Sequence, residues 1–206
     1  AFRLMIKDGS HRCLDILSKA SVEISQGEVL QLITNNNIQT SESKYLEVIS
    51  AKTAELFAAA CLVSGVISEV GKEKEMSLYE YGKNLGIAFQ IIDDTLDYFS
   101  NDRSFGKNIG DDFKEGKVSI PIILAFTRSD GNEKKFWLRV INEKKQNKND
   151  LELALEIIKK YNVISDCLKK AKHFSLMAKD SLGPFEYSYE KEKLVNIADF
   201  AIDRVF

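Results

Sequence analysis

The stretch Phe89-Gln90-Ile91-Ile92-Asp93-Asp94-Thr95-Leu96-Asp97 sets three carboxylates inside an otherwise apolar run. Leu85, Ile87 and Ala88 lie upstream; Tyr98 and Phe99 lie downstream. On a helix, Asp93 and Asp97 stack one turn apart, and Asp94 sits about 100° round the barrel. Carboxylates roughly 5–6 Å apart repel by about 3 kcal/mol per pair at an effective dielectric near 20. A partly buried site does not tolerate that without compensation. A hard divalent cation such as Mg²⁺ compensates, and it favours carboxylates combined with substrate phosphates. The competing reading is a solvated acidic patch on an amphipathic helix. The apolar flanks put the two on an equal footing.

Four further stations could act with the aspartates. Lys52-Thr53 stands at the mouth of the apolar run that starts at Ala54. A lysine there either snorkels to solvent or aims a cation at an anionic ligand. Gln90 lies about one turn from Asp93 among apolar residues, and a buried glutamine needs partners, structural or ligand. The segment from Gly106 to Lys117 has glycines for tight turns, with Lys107 and Lys117 near its two ends. Such a loop is either a plain charged connector or a pair of ammonium groups held beside a diphosphate. Glu28 and Gln31, three apart, share a helix face; a surface role is their default, since spacing alone does not place them near the acidic site.

The elements that must carry these residues read as helices. Proline occurs only at Pro121 and Pro184, and strand-like alternation is scarce. Helical periodicity covers about 10–34, and Asn35-Asn36-Asn37 breaks it. A second helix is expected over about 41–68; its middle, 54–66, is apolar almost all round, which predicts a central, buried helix. A third is expected to begin near Ser77, where Ser77-Leu78-Tyr79-Glu80 fits a capping box, and to end near Ser100. After the loop 101–117 comes an apolar helix over 118–127, with Pro121 in its first turn. Residues 144–150 read as a solvated connector rather than a basic binding patch. Amphipathic helices are expected beyond it at about 151–160, 163–182 and 189–205, the last two separated by Gly183-Pro184. The expectation is an all-α single domain, 1–206, built as a helical bundle with ligand sites in its interior.

With 206 residues, 44% hydrophobic and 29% charged, the chain has an ordinary globular composition. A net charge of −2 gives no field that would favour nucleic acid. No apolar run reaches the roughly 18–20 residues of a membrane span, and the opening residues show no signal-peptide pattern. Cys13, Cys61 and Cys167 are odd in number and widely spaced, which suits reduced thiols in a cytoplasmic protein. His11 and His173 have no ligand-spaced partner. The chain begins with Ala1 and opens in Phe2-Arg3-Leu4-Met5-Ile6, like the middle or end of a helix; an N-terminal truncation is the expectation.

Taken together, Phe89-Gln90-Ile91-Ile92-Asp93-Asp94-Thr95-Leu96-Asp97, then Gly106-Lys107, then Gly110-x-Asp112-x-x-Glu115-Gly116-Lys117 ending at Pro121, resemble the second aspartate-rich region of trans-isoprenyl diphosphate synthases. Ala51-Lys52-Thr53-Ala54-x-Leu56-Phe57 resembles that family's Lys-Thr station, and Glu28 and Gln31 its Gly-Glu/Gln region. The resemblance runs over essentially the whole chain, including Ala198-Asp199-Phe200, and looks closest to bacterial octaprenyl or solanesyl diphosphate synthases. It implies an orthogonal helical bundle around a deep hydrophobic cavity, usually homodimeric. It implies Mg²⁺-assisted, head-to-tail condensation of an allylic diphosphate with isopentenyl diphosphate. The long-chain product would be a quinone side-chain precursor, a lipid handed to a membrane.

By the same resemblance Asp93, with Asp94 and Asp97, would hold Mg²⁺. Lys52, Lys107 and Lys117 would neutralise the diphosphate, and Thr53 and Gln90 would offer lone pairs to a developing cation. The family's first aspartate-rich motif, with its arginine pair, belongs upstream of these stations and does not occur in the 206 residues; Asp111-Asp112 lies in the later loop and does not replace it. These residues alone are therefore expected to be inactive or very weak. Two alternatives are a non-catalytic subunit of a heteromeric synthase and a class I terpene cyclase. Against the cyclase stands its usual Asn-Ser-Glu type second site, where this chain has Asp-Asp-x-x-Asp.

Overall fold

The computed structural model describes residue 7 and residues 9–99 and 109–203. Among them every regular element is helical. α1 (His11–Thr34) begins at Ser10, whose hydroxyl accepts from the Cys13 amide at 3.2 Å. Its buried residues are Cys13, Ala20, Gly27 and Thr34, one every seven. A seam of small residues at that spacing lets another helix come very close. At Gly27 the approach is closest: a Cβ there would lie 2.5 Å from the Lys52 backbone nitrogen. Gly27→Ala must therefore force the two backbones apart. Its expected destabilisation is about 1–3 kcal/mol, read by urea denaturation; an unchanged midpoint would contradict the close packing.

α2 (Glu42–Ile49) starts at Ser41, which accepts from the Lys44 amide at 3.2 Å. It continues without a break through a π-turn, Ser50–Ala54, into α3 (Glu55–Ile67). In that turn the Glu55 amide reaches five residues back to the Ser50 carbonyl. One extra residue rotates α3 relative to α2 and puts Lys52 and Thr53 at the bulge, a device common at functional sites.

α3 departs from expectation. Ala58, Ala59 and Gly65 are buried, yet Leu56, Ala60, Ser64 and Ile67 form one exposed stripe, with Leu56 at 53% and Ile67 at 62%. Within the described residues, neighbours cover one side of this apolar helix only. The central position belongs instead to α4 (Lys72–Phe99), packed against α3 and against α9 (Val163–Ser181). α4 also begins earlier than a capping box at Ser77 would place it. Ser77 is buried inside the helix, and its hydroxyl donates to the Ser181 carbonyl; a tertiary acceptor has taken the group that local pattern assigned to a cap.

The remaining elements are α5 (Asp111–Glu115), α6 (Ile120–Arg128), α7 (Gly131–Trp137) with a second π-turn at Leu138–Asn142, α8 (Asp150–Lys160) and α10 (Tyr189–Asp203). Pro121 opens α6, where its missing N–H costs nothing. α7 carries a true capping box between Asp130 and Glu133. One core cluster joins α4 to α6–α9 around Trp137, Ile91, Ile92, Phe113 and Ile120. The Trp137 indole N–H donates to Ser129 Oγ at 3.1 Å. A second cluster, with Tyr81, Leu85, Ala178 and Leu182, seats α10 on α4 and α9. The 144–150 connector ends on a buried group: Asp150 accepts two hydrogen bonds from Arg139, each 2.8 Å. Those bonds hold the Asp150 carboxyl below its usual range.

Candidate active site

α1, the π-turn, α4 and the α5 segment converge on one polar patch in this apolar frame. Asp94 is its hub and is 1% exposed. Its Oδ2 accepts from the Tyr45 hydroxyl at 2.7 Å. Its Oδ1 accepts from Gln90 Nε2 at 2.9 Å and from Lys117 Nζ at 2.7 Å. A carboxylate only accepts, so Asp94 fixes which way the Gln90 amide points. The amide oxygen then faces Thr53, whose hydroxyl donates to Oε1 at 2.9 Å. Thr53 and Gln90, 37 residues apart, thus form one dipolar pair.

Lys117 reaches the hub because the α5 segment is tied down twice. The Asp112 amide donates to Asp97 Oδ2 at 3.1 Å, and the Gly110 amide to the Asp97 carbonyl at 2.9 Å. Gly116 then turns the chain with φ +71°, and its carbonyl accepts from the Asn36 amide at 2.9 Å. Any side chain at Gly116 would be strained in φ and would run into Asn36 Oδ1. Lys117 also binds Asp112 Oδ2 at 2.8 Å. Burial alone would lower the lysine's pKa, but Asp94 and Asp112 outweigh it and hold the ammonium firmly charged.

Across the patch stands Lys52. Its ammonium donates to Gln31 Oε1 at 2.7 Å and lies 3.0 Å from Glu28. The structure thus brings Glu28 and Gln31 to the site. Lys52, Thr53, Gln90, Lys117, Gln31 and Tyr45 all line one small pocket of about 50 Å³, room for water-sized groups. Lys107 lies outside the described residues.

The three aspartates take different roles in this geometry. Asp93 is half-buried, Asp94 is wholly engaged by protein donors, and Asp97 anchors the start of α5 through the Asp112 amide. Among the described residues no three acidic, histidine or cysteine side chains are gathered into a ready-made metal cage. The charge balance nevertheless fits a cation. Burial first, and then the charge of Asp112, pushes Asp97 up to about 6. Burial also pushes Asp112 up, against the pull of Lys117. Among the described residues Lys117 is the ammonium paired with this cluster. Hard oxygens with excess negative charge are the donor set that Mg²⁺ favours.

Two participants are not legible in the sequence pattern. Asp112 falls in what reads as a charged loop, where spacing alone assigns it no role, but the structure puts it in the short helix α5. Tyr45 carries one faint signal, its place seven residues, about two turns, before Lys52.

Residues 1–158 match the polyprenyl synthetase family model. The chain is 34% identical to octaprenyl diphosphate synthase of Escherichia coli, over 99% of this chain and 63% of that protein. Its fold matches a polyprenyl synthase from Caulobacter crescentus, solved with calcium and isoprenyl diphosphate, at TM-score 0.95 and 42% identity over 100% of this chain and 62% of that one. A decaprenyl diphosphate synthase from Rhodobacter capsulatus matches at TM-score 0.94 and 40% identity, over 100% of this chain and 63% of that one. The chain therefore spans less than two thirds of the length of these relatives.

Proposed function

The chain belongs to the polyprenyl synthetase family, and we propose that it carries the second aspartate-rich half-site of a trans-polyprenyl diphosphate synthase. The complete enzyme would join an allylic diphosphate to isopentenyl diphosphate head to tail and build a long-chain product. The observation that carries this reading is the single network Thr53–Gln90–Asp94–Lys117–Asp112, with Lys52 facing it across the same pocket. It combines ammonium groups for a diphosphate with an oriented dipole pair beside them.

Asp93, with Asp97, would hold Mg²⁺, which when bound supplies positive charge to the departing diphosphate. Asp94 contributes indirectly, through the donors it holds. Lys52 and Lys117 exchange carboxylate and amide partners for diphosphate oxygens; Lys107 joins them by the same resemblance. Thr53 and Gln90 present oxygen lone pairs to the allylic carbon as its C–O bond breaks. Because their orientation is fixed before reaction, the stabilisation needs little reorganisation. The double bond of isopentenyl diphosphate then attacks that carbon, and the tertiary cation so formed gives its proton to the released diphosphate, which leaves as pyrophosphate. The relatives named for octaprenyl and decaprenyl products support a long chain as the product.

Homodimer formation is part of the proposal. It is supported by the exposed stripe of α3 and by Val22 and Val29 of α1, 55% and 56% exposed, apolar surface of the kind that interfaces cover. The same stripe suits a heteromeric synthase in which this chain is one subunit. Among the described residues no helix is long and apolar enough to cross a membrane.

The test is incorporation of labelled isopentenyl diphosphate into farnesyl diphosphate, with and without Mg²⁺, and with the product sized by chromatography. Turnover is expected from the complete natural polypeptide, but not from the 206 residues alone, which hold one aspartate-rich motif. Equal turnover by both would overturn the half-site reading. Turnover by neither would favour the non-catalytic subunit.

A further inference from the structure

We propose that Tyr45 is a positioning residue that sets Lys117 and Gln90 in place through the Asp94 carboxylate. Its kinetic consequence rests on the prenyl-transfer reading; the contact itself rests on geometry. Tyr45 is 4% exposed and its ring belongs to the core cluster with Ile49 and Ile91. The phenol is thus held rigidly, and its one O–H is spent on Asp94 Oδ2 at 2.7 Å. The last torsion of an aspartate is soft. Fixing Oδ2 therefore fixes Oδ1, the atom that receives both Gln90 and Lys117.

The line of control runs from α2 to α4 and then to the end of the α5 segment. The Tyr45 hydroxyl orients Asp94. Asp94 orients the Gln90 amide and, through it, the oxygen that Thr53 meets. Asp94 also shares Lys117 with Asp112. Without the hydroxyl the carboxylate can turn, and both dependents lose their bearing at once. The charge-assisted bond is of the stronger kind, so its loss has a measurable effect.

Tyr45→Phe removes that bond and keeps the ring. In the complete natural polypeptide, kcat for prenyl transfer is expected to fall about 10- to 100-fold, the rate equivalent of one hydrogen bond to a charged group. KM for the allylic diphosphate should rise severalfold as well, because Lys117 also meets the bound diphosphate. Lys117 is also expected to become several-fold more reactive toward reductive methylation, located by mass spectrometry. Unchanged Lys117 reactivity would overturn the inference, whatever kcat does. So would an equal gain in reactivity at a lysine remote from Asp94, such as Lys179, which pairs with Asp199 at 2.6 Å, because that would mark general loosening. If the wild type forms no prenyl product, the functional reading fails, and the methylation result alone decides for or against Tyr45.

Discussion

Replacing Asp94 by asparagine is expected to remove both activity and a large share of stability. Asp94 accepts from three donors: the Tyr45 hydroxyl, the Gln90 amide and the Lys117 ammonium. Asparagine has the same shape but offers one oxygen and one NH₂. Turned one way, its NH₂ confronts the Gln90 amide and the Lys117 ammonium; turned the other, the Tyr45 hydroxyl must accept instead of donate, and either way Lys117 keeps only Asp112 as a charged partner. Removing one member of a buried ion pair typically costs about 3–5 kcal/mol. The expected loss in kcat is at least about 10²–10³-fold, the scale for losing a preorganised electrostatic group. Denaturant melts and steady-state kinetics on the same preparation check both. A variant as stable as wild type would contradict the hub role of Asp94.

Asp93→Ala is expected to separate the two effects. Asp93 is the neighbour of Asp94 in sequence but is only half-buried, and no stabilising bond of the kind Asp94 makes depends on it among the described residues. Stability should change by no more than about 0.5 kcal/mol, as at ordinary surface positions. Turnover should fall about 10²–10³-fold or more if, as proposed, Asp93 is one of the carboxylates that would hold the cation beside the diphosphate. Raising the Mg²⁺ concentration should recover part of the loss. A stable variant that retains wild-type kcat at low Mg²⁺ would move the metal away from Asp93.

This contrast also shows how far local pattern reaches. The spacing of Asp93, Asp94 and Asp97 places all three on one helix, and α4 carries them. Spacing cannot assign their separate tasks, because those depend on groups remote in sequence. Tyr45 is 49 residues from Asp94, and Lys117 is 23. Lys52 and Thr53 are legible as a station beside an apolar run. Their placement against Gln31 and Gln90 needs the π-turn and the backbone contact at Gly27, neither of which has a periodic signature. The all-helical class comes from sparse proline and continuous periodicity. The misassigned start of α4 comes from reading Ser77 as a cap when its partner, Ser181, lies 104 residues away. α3 reads as central because its composition is apolar on every side; composition does not say which neighbours are present to cover it.

The most direct test of the half-site is calorimetric binding of a non-hydrolysable allylic thiodiphosphate to the complete natural polypeptide, with Mg²⁺ and with chelator, for the wild type and Asp93→Ala. If carboxylates, metal and the lysines Lys52 and Lys117 together make the diphosphate site, the wild type binds only when Mg²⁺ is present and the variant binds far more weakly. Equally tight binding in chelator, or by Asp93→Ala, would contradict it and place the diphosphate elsewhere in the bundle.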